Sequence, residues 1–141
     1  MKVEGLRSCH DKTGGIVYFA RMLDKIRLHA EGKLPYEFHE NLGTGFDGRC
    51  CSFLHVEYAD LVTRVNMGGS TEEILQWCFE QGRKPTDEEI EIWNGFMCKR
   101  GWRDESSARL AQRLKESGLT GCSDIQTMFD YIDADEGRPP H

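Results

Sequence analysis

The chain has 141 residues, of which 38% are apolar and 30% charged, and it carries a formal net charge of -6. That length suits one domain with a core that needs no cross-links. No apolar run approaches the ~18 residues of a membrane span, and no basic stripe is present to neutralise phosphates, which excludes membrane and nucleic acid as expected partners.

The charge is uneven. Residues 1–33 hold seven Lys/Arg against four Asp/Glu, whereas the remainder is strongly acidic. Much of that acidity belongs to first turns of predicted helices, where Glu72, Glu73, Asp87, Glu88 and Glu89 favour the helix dipole. The opening Met1-Lys2-Val3-Glu4-Gly5 lacks the apolar centre of a signal peptide. Cys9, Cys50, Cys51, Cys78, Cys98 and Cys122 show no framework spacing and read as reduced thiols, so a cytoplasmic location is expected.

In chain order, residues 1–13 read as an irregular arm anchored by Leu6. Gly14-Gly15 is expected to open a helix running to about Ala30, with Ile16, Phe19, Ala20, Leu23, Ile26 and Ala30 along one face. Arg21, Asp24 and Lys25 occupy the other side, where Arg21 and Asp24 sit within pairing reach. Arg27, at the edge, either snorkels to water or meets a buried carboxylate. Residues 33–48 are irregular and glycine-rich, after which Asp47 is a natural N-cap for a short helix through Leu54. Tyr58, Leu61, Val62 and Val65 mark another helix. Ser70 and Glu73 form a capping box for the next, which carries Ile74, Trp77 and Cys78.

The best-specified helix spans about 86–100. Thr86 and Glu89 make a capping box, Lys99 and Arg100 close the last turn, and Gly101 suits the left-handed stop. Ile90, Ile92, Trp93, Phe96 and Met97 cover an arc of roughly 160°, wider than one packing partner requires. This helix is therefore expected to lie at the centre of an all-α domain of six or seven short helices. Asp104 should cap a further helix bearing Leu110, Ala111 and Leu114. Ser123 and Gln126 form a third box, ahead of Met128, Phe129 and Ile132. The domain is read as residues 1–133, and the acidic, proline-bearing residues 134–141 as a flexible tail.

Few constellations point to chemistry. Gly43-Thr44-Gly45-Phe46-Asp47-Gly48 matches G-x-G-x-x-G, but no strand precedes it, and Asp47 puts a negative charge beside the proposed phosphate. A glycine-rich connection is the preferred reading. Cys50, near a helix N-terminus and beside Arg49, is in a setting that favours thiolate, although Asp47 opposes ionisation. Cys51 and His55 lie one turn apart and His39 lies upstream, but the paired spacing of a zinc site is missing. Arg21, Asp24 and Lys25 are candidates to line a pocket for an anion.

With those residues in hand, the chain resembles the bacterial family catalogued as domain of unknown function 5069. The likeness is carried by Leu6-Arg7-Ser8, Asp11-Lys12 through Gly14-Gly15-Ile16-Val17-Tyr18, Arg21 to Arg27, Gly45-Phe46-Asp47-Gly48-Arg49-Cys50, Gly68-Gly69, Arg83 to Thr86 with Trp93-Asn94, Gly101-Trp102-Arg103-Asp104, and Asp124-Ile125-Gln126 through Asp133 to Arg138. It spans most of residues 6–138 and implies a small bacterial cytosolic helical protein, with no residue roles to carry over.

The leading expectation is a binding module for a partner protein or a small anionic ligand. Its candidate site comprises Arg21, Asp24, Lys25, Arg49 and Cys50, with no catalytic set, metal or cofactor assigned. The alternative is a thiol- or metal-dependent small-molecule enzyme using Cys50 with His39 or His55. An uncovered apolar face would instead point to homo-oligomerisation.

Overall fold

The computed structural model describes residues 1–140; His141, placed in the tail by the sequence reading, lies outside the described residues. Among the described residues are seven α-helices, one 3₁₀ helix and a two-stranded hairpin. The expected all-α architecture is the one observed.

The first difference lies at Gly14-Gly15. Instead of opening a helix, these residues turn a hairpin between β1 (Lys12–Thr13) and β2 (Ile16–Val17), with Thr13 opposite Ile16. Both glycines have positive φ (56° and 81°), which a two-residue I′-type turn requires and side-chain-bearing residues resist. Helix α1 (Phe19–Ala30) follows directly, entered through Tyr18 at φ 76°.

Nine of the twelve residues of α1 are buried, which makes it the centre of the fold. Phe19, Met22 and Leu23 are fully enclosed. Arg21, Asp24 and Lys25 are buried as well, and burying an unpaired charge is prohibitive. Each therefore has an opposite charge from a different part of the chain. Arg21 forms a two-pronged pair with Glu136 (2.8 and 2.6 Å) and donates to the carbonyl of Arg7 (3.0 Å). Asp24 accepts from the Arg7 guanidinium (2.9 Å twice) and the Arg7 amide (3.0 Å). Lys25 meets Asp47 at 2.8 Å. Arg21 and Asp24, expected to pair with each other, instead hold opposite ends of the chain. Arg27 approaches Asp24 at 3.8 Å.

Around α1 lie the 3₁₀ helix (Tyr36–Asn41), α2 (Phe46–Leu54), α3 (Tyr58–Asn66), α4 (Thr71–Gln81), α5 (Asp87–Lys99), α6 (Ser107–Glu116) and α7 (Met128–Asp135). The boxes expected at Ser70/Glu73 and Thr86/Glu89 are both formed. Helix α5 is peripheral rather than central. It buries only Trp93 and Met97, while Ile92 and Phe96 stay 64% and 40% exposed. Its inner face secures β2: Trp93 Nε1 donates to Val17 O (3.2 Å), Val17 N donates to Asn94 Oδ1 (3.1 Å), and Asn94 Nδ2 donates to Gly15 O (2.8 Å). These bonds satisfy the strand edge that a two-stranded ribbon leaves open. The Trp93 ring also stacks on Phe53 at 4.7 Å.

Gly82 marks the closest approach between elements. A Cβ there would collide with the main-chain carbonyl of Leu54 and lie 2.6 Å from that of His55, so α4 ends against the end of α2 with no room for a side chain.

Two caps differ from expectation. The N-cap of α6 is Ser106, while the Asp104 carboxylate accepts from the amides of Gly101 and Ser106. The N-cap of α7 is Thr127, whose hydroxyl accepts from Asp130 N, in place of Ser123.

The C-terminal residues 134–138 are not a loose tail. Glu136 is only 4% exposed, and Arg138 donates to Leu6 O and to Glu136 (2.6 Å each). Glu136 among them is the counter-charge of Arg21 on α1, which composition alone does not reveal.

Burial works to raise the Glu136 carboxyl, but the Arg21 and Arg138 guanidiniums outweigh it and hold the group below its ordinary 4.5. A depressed carboxyl contributes stability that is complete above the unfolded value and is lost as pH falls through the folded one. Glu136→Gln should cost about 3 kcal/mol at pH 7 by stranding a buried guanidinium. The gap to wild type should shrink as pH drops below 4.5, measured by urea melts across pH.

Candidate functional site

The main cleft, about 680 Å³, opens over one end of α1 and is closed by the 3₁₀ helix, the start of α2, the end of α5, and α6 and α7. Its floor is a buried polar cluster. Tyr18 donates to Asp47 Oδ1 (2.6 Å), Lys25 Nζ lies 2.8 Å from the same oxygen and 3.1 Å from the Tyr18 hydroxyl, and Gly43 N donates to Asp47 Oδ2 (3.0 Å). Burial first, and then the Asp47 charge, push the Tyr18 phenol well above its ordinary value, so Tyr18 remains a donor at neutral pH.

Asp47, expected at the N-cap, is the second residue of α2 and is fully buried. The N-cap is Gly45 (φ 56°, ψ -125°), in a conformation foreign to side-chain-bearing residues. Turning inward, the Asp47 carboxylate joins α1 to the glycine loop and leaves the cleft side of that loop without its charge.

The cleft walls carry four arginines. Arg49 projects from α2, Arg100 follows α5, and Arg109 and Arg113 stand one turn apart on α6. Arg100 lies 3.5 Å from Asp104, and Arg113 lies 3.6 Å from Glu116. Arg49 and Arg109 have no ion pair among the described residues. Arg49 and Arg100 both lie over the exposed Phe96 ring, at 5.2 and 5.4 Å, which orients their planar heads. Carboxylates also line the cleft: Glu37 and Glu40 from the 3₁₀ helix, and Asp135 and Glu136 at the end of α7.

Of the sequence-derived candidates, Arg21, Lys25 and Arg49 line the cleft. Asp24 does not; it faces the N-terminal arm through Arg7. Cys50 is fully buried, and its thiol is pushed well above the usual range by burial and by Cys51, Asp47 and Cys78. The helix terminus and guanidinium that favoured a thiolate are outweighed by that desolvation. Neither candidate histidine reaches it: His39 bonds Leu34 O at 2.9 Å, and His55 is exposed at the left-handed end of α2. Among the described residues no group of three or more His, Cys, Asp or Glu converges as metal ligands.

Arg100, Arg109 and Arg113 were not singled out from sequence. The i,i+4 spacing of Arg109 and Arg113 is a legible signal, because it puts two guanidiniums on one face of α6.

A smaller pocket of about 410 Å³ lies beside α3 and α4, with Glu57, Asp60, Arg64 and Trp77 in its lining. Arg64 is committed there, donating to Gly68 O at 2.6 Å.

Fold and cleft together describe a small helical domain with a basic opening above a self-neutralised floor. A family model, domain of unknown function (DUF5069), matches residues 3–138, and the chain belongs to that family. Comparison with curated proteins finds no match. No helix among the described residues is long and apolar enough to cross a membrane.

The six cysteines are free and differ sharply in access. Iodoacetamide should label exposed Cys122 readily and Cys98 more slowly in the folded protein. Cys9, Cys50, Cys51 and Cys78 should react only on unfolding, as mass spectrometry of labelled peptides with and without urea would read.

Proposed function

We propose that this protein is a binding module for a small multiply charged anion, held in the cleft between α2, α6 and the 3₁₀ helix. The observation that carries the reading is that Arg49 and Arg109 face one cleft with no ion pair among the described residues, in a chain whose net charge is -6. A guanidinium presents a planar fork of donors that matches carboxylate and phosphate oxygens. Arg21 and Lys25 line the floor, but Glu136 and Asp47 already neutralise them, so their role is to shape the site. Asp24 and Cys50 are not assigned to it.

Binding without catalysis is the reading favoured here, because the buried Cys50 thiol gives no support to thiol chemistry. The reduced cysteines suit a cytosolic setting. The site's cations are gathered in one concavity instead of along a stripe, which suits a small molecule better than a nucleic-acid strand.

A ligand that binds only the folded state raises stability by mass action, by ~2.7 kcal/mol at a hundred times its Kd. Millimolar pyrophosphate or citrate should therefore raise the melting temperature by several degrees, and added salt should diminish the effect. Arg49→Ala with Arg109→Ala should abolish the rise while leaving the unliganded melt near wild type, since both side chains are exposed. An equal rise in the double variant would refute the site.

A further inference from the structure

We infer that the anion is the phosphate end of a nucleoside phosphate, whose nucleoside lies along the 3₁₀ helix; this rests on the anion-binding reading above. The lining of the cleft is divided by chemistry. Arg49 and Arg109 supply the open cationic part, from α2 and α6. The 3₁₀ helix supplies Glu37, Phe38, Glu40 and Asn41, and Phe46 adjoins them at the start of α2.

An inorganic anion engages only the first group. The remaining volume would then be left to water, since a cleft of about 680 Å³ has the size of those that enclose whole organic ligands. Nor would a large polyanion fill the cleft favourably, because Glu37 and Glu40 line it with no ion pair among the described residues. Carboxylates accept hydrogen bonds from hydroxyl and amino groups, and aromatic rings take a planar base against them. A ligand that is anionic at one end, and planar and hydroxyl-bearing at the other, satisfies both groups together.

The sequence objection to a phosphate at the Gly43–Gly48 loop was the charge of Asp47. That carboxylate is buried and met by Lys25, Tyr18 and Gly43 N, so it does not confront the cleft. Gly45, which lines the cleft, has no atom within 4 Å of where a Cβ would sit, so the loop backbone there is open to approach.

Calorimetric titration of the full chain with pyrophosphate, citrate, and ADP, GDP, CDP and UDP tests this. At least one nucleoside diphosphate should bind about tenfold or more tightly than pyrophosphate, the equivalent of ~1.4 kcal/mol. Glu37→Gln with Glu40→Gln, both at exposed positions, should weaken that nucleotide and leave pyrophosphate unchanged or tighter. Arg109→Ala should weaken both. If no nucleotide exceeds pyrophosphate, or if citrate binds more tightly than every phosphate, the nucleoside assignment is overturned while anion binding stands. If none of the six binds, both readings fall.

Discussion

Three adjacent charges on a buried helix constrain the whole architecture. Arg21, Asp24 and Lys25 sit within two turns of α1 at positions closed to water, and each is tolerable only if an opposite charge is delivered to it. Glu136 comes from the end of α7, Arg7 from the N-terminal arm, and Asp47 from the start of α2. The hydrophobic effect gathers the helices but does not say where along α1 each neighbour must stop. The ion pairs add that registration, because each brings one particular residue of α1 against one particular residue elsewhere in the chain. Breaking one partner costs far more than the pair contributes net, which makes the arrangement specific without making it especially stable.

The same economy shapes the cleft. Lys25 and Arg21 reach its floor, but their charges are consumed below the surface by Asp47 and Glu136. The outer arginines are organised differently: Arg49 and Arg100 flank the Phe96 ring, and Arg109 rises from a helix whose exposed face is otherwise polar. Strong internal pairing at the floor thus coexists with uncommitted cations above it.

What is legible in the sequence, and what is not, follows from distance along the chain. Capping at Ser70/Glu73 and Thr86/Glu89 depends on four consecutive residues and is legible. The choice between Ser123 and Thr127 is not, because the Ser123/Gln126 spacing fits a box while the helix starts four residues later, with the Thr127 hydroxyl on Asp130 N. Gly14-Gly15 was ambiguous locally; the hairpin is chosen because Trp93 and Asn94, far along the chain, satisfy its edge. The broad apolar arc of α5 is real, but Phe96 stays exposed, with two guanidiniums over its ring and no helix. Arg21, Lys25 and Arg49 line the cleft, and Cys50 and Asp24 do not, because only the folded chain shows which way each side chain turns.

The pairing of Arg21 with Glu136 spans 115 positions, and Arg138 reaches back to Leu6 across 132. During synthesis the ribosome releases α1 long before either partner emerges. Until residue 138 clears the exit tunnel, the nascent core helix holds a guanidinium that cannot be dehydrated, so its final enclosure waits on a partner 115 positions downstream. Such non-local closure makes completion slow relative to the formation of the individual helices. A ribosome-bound chain stalled before Glu136 would present an open, chaperone-accessible α1, and emergence of Glu136 and Arg138 would be the event that seals it.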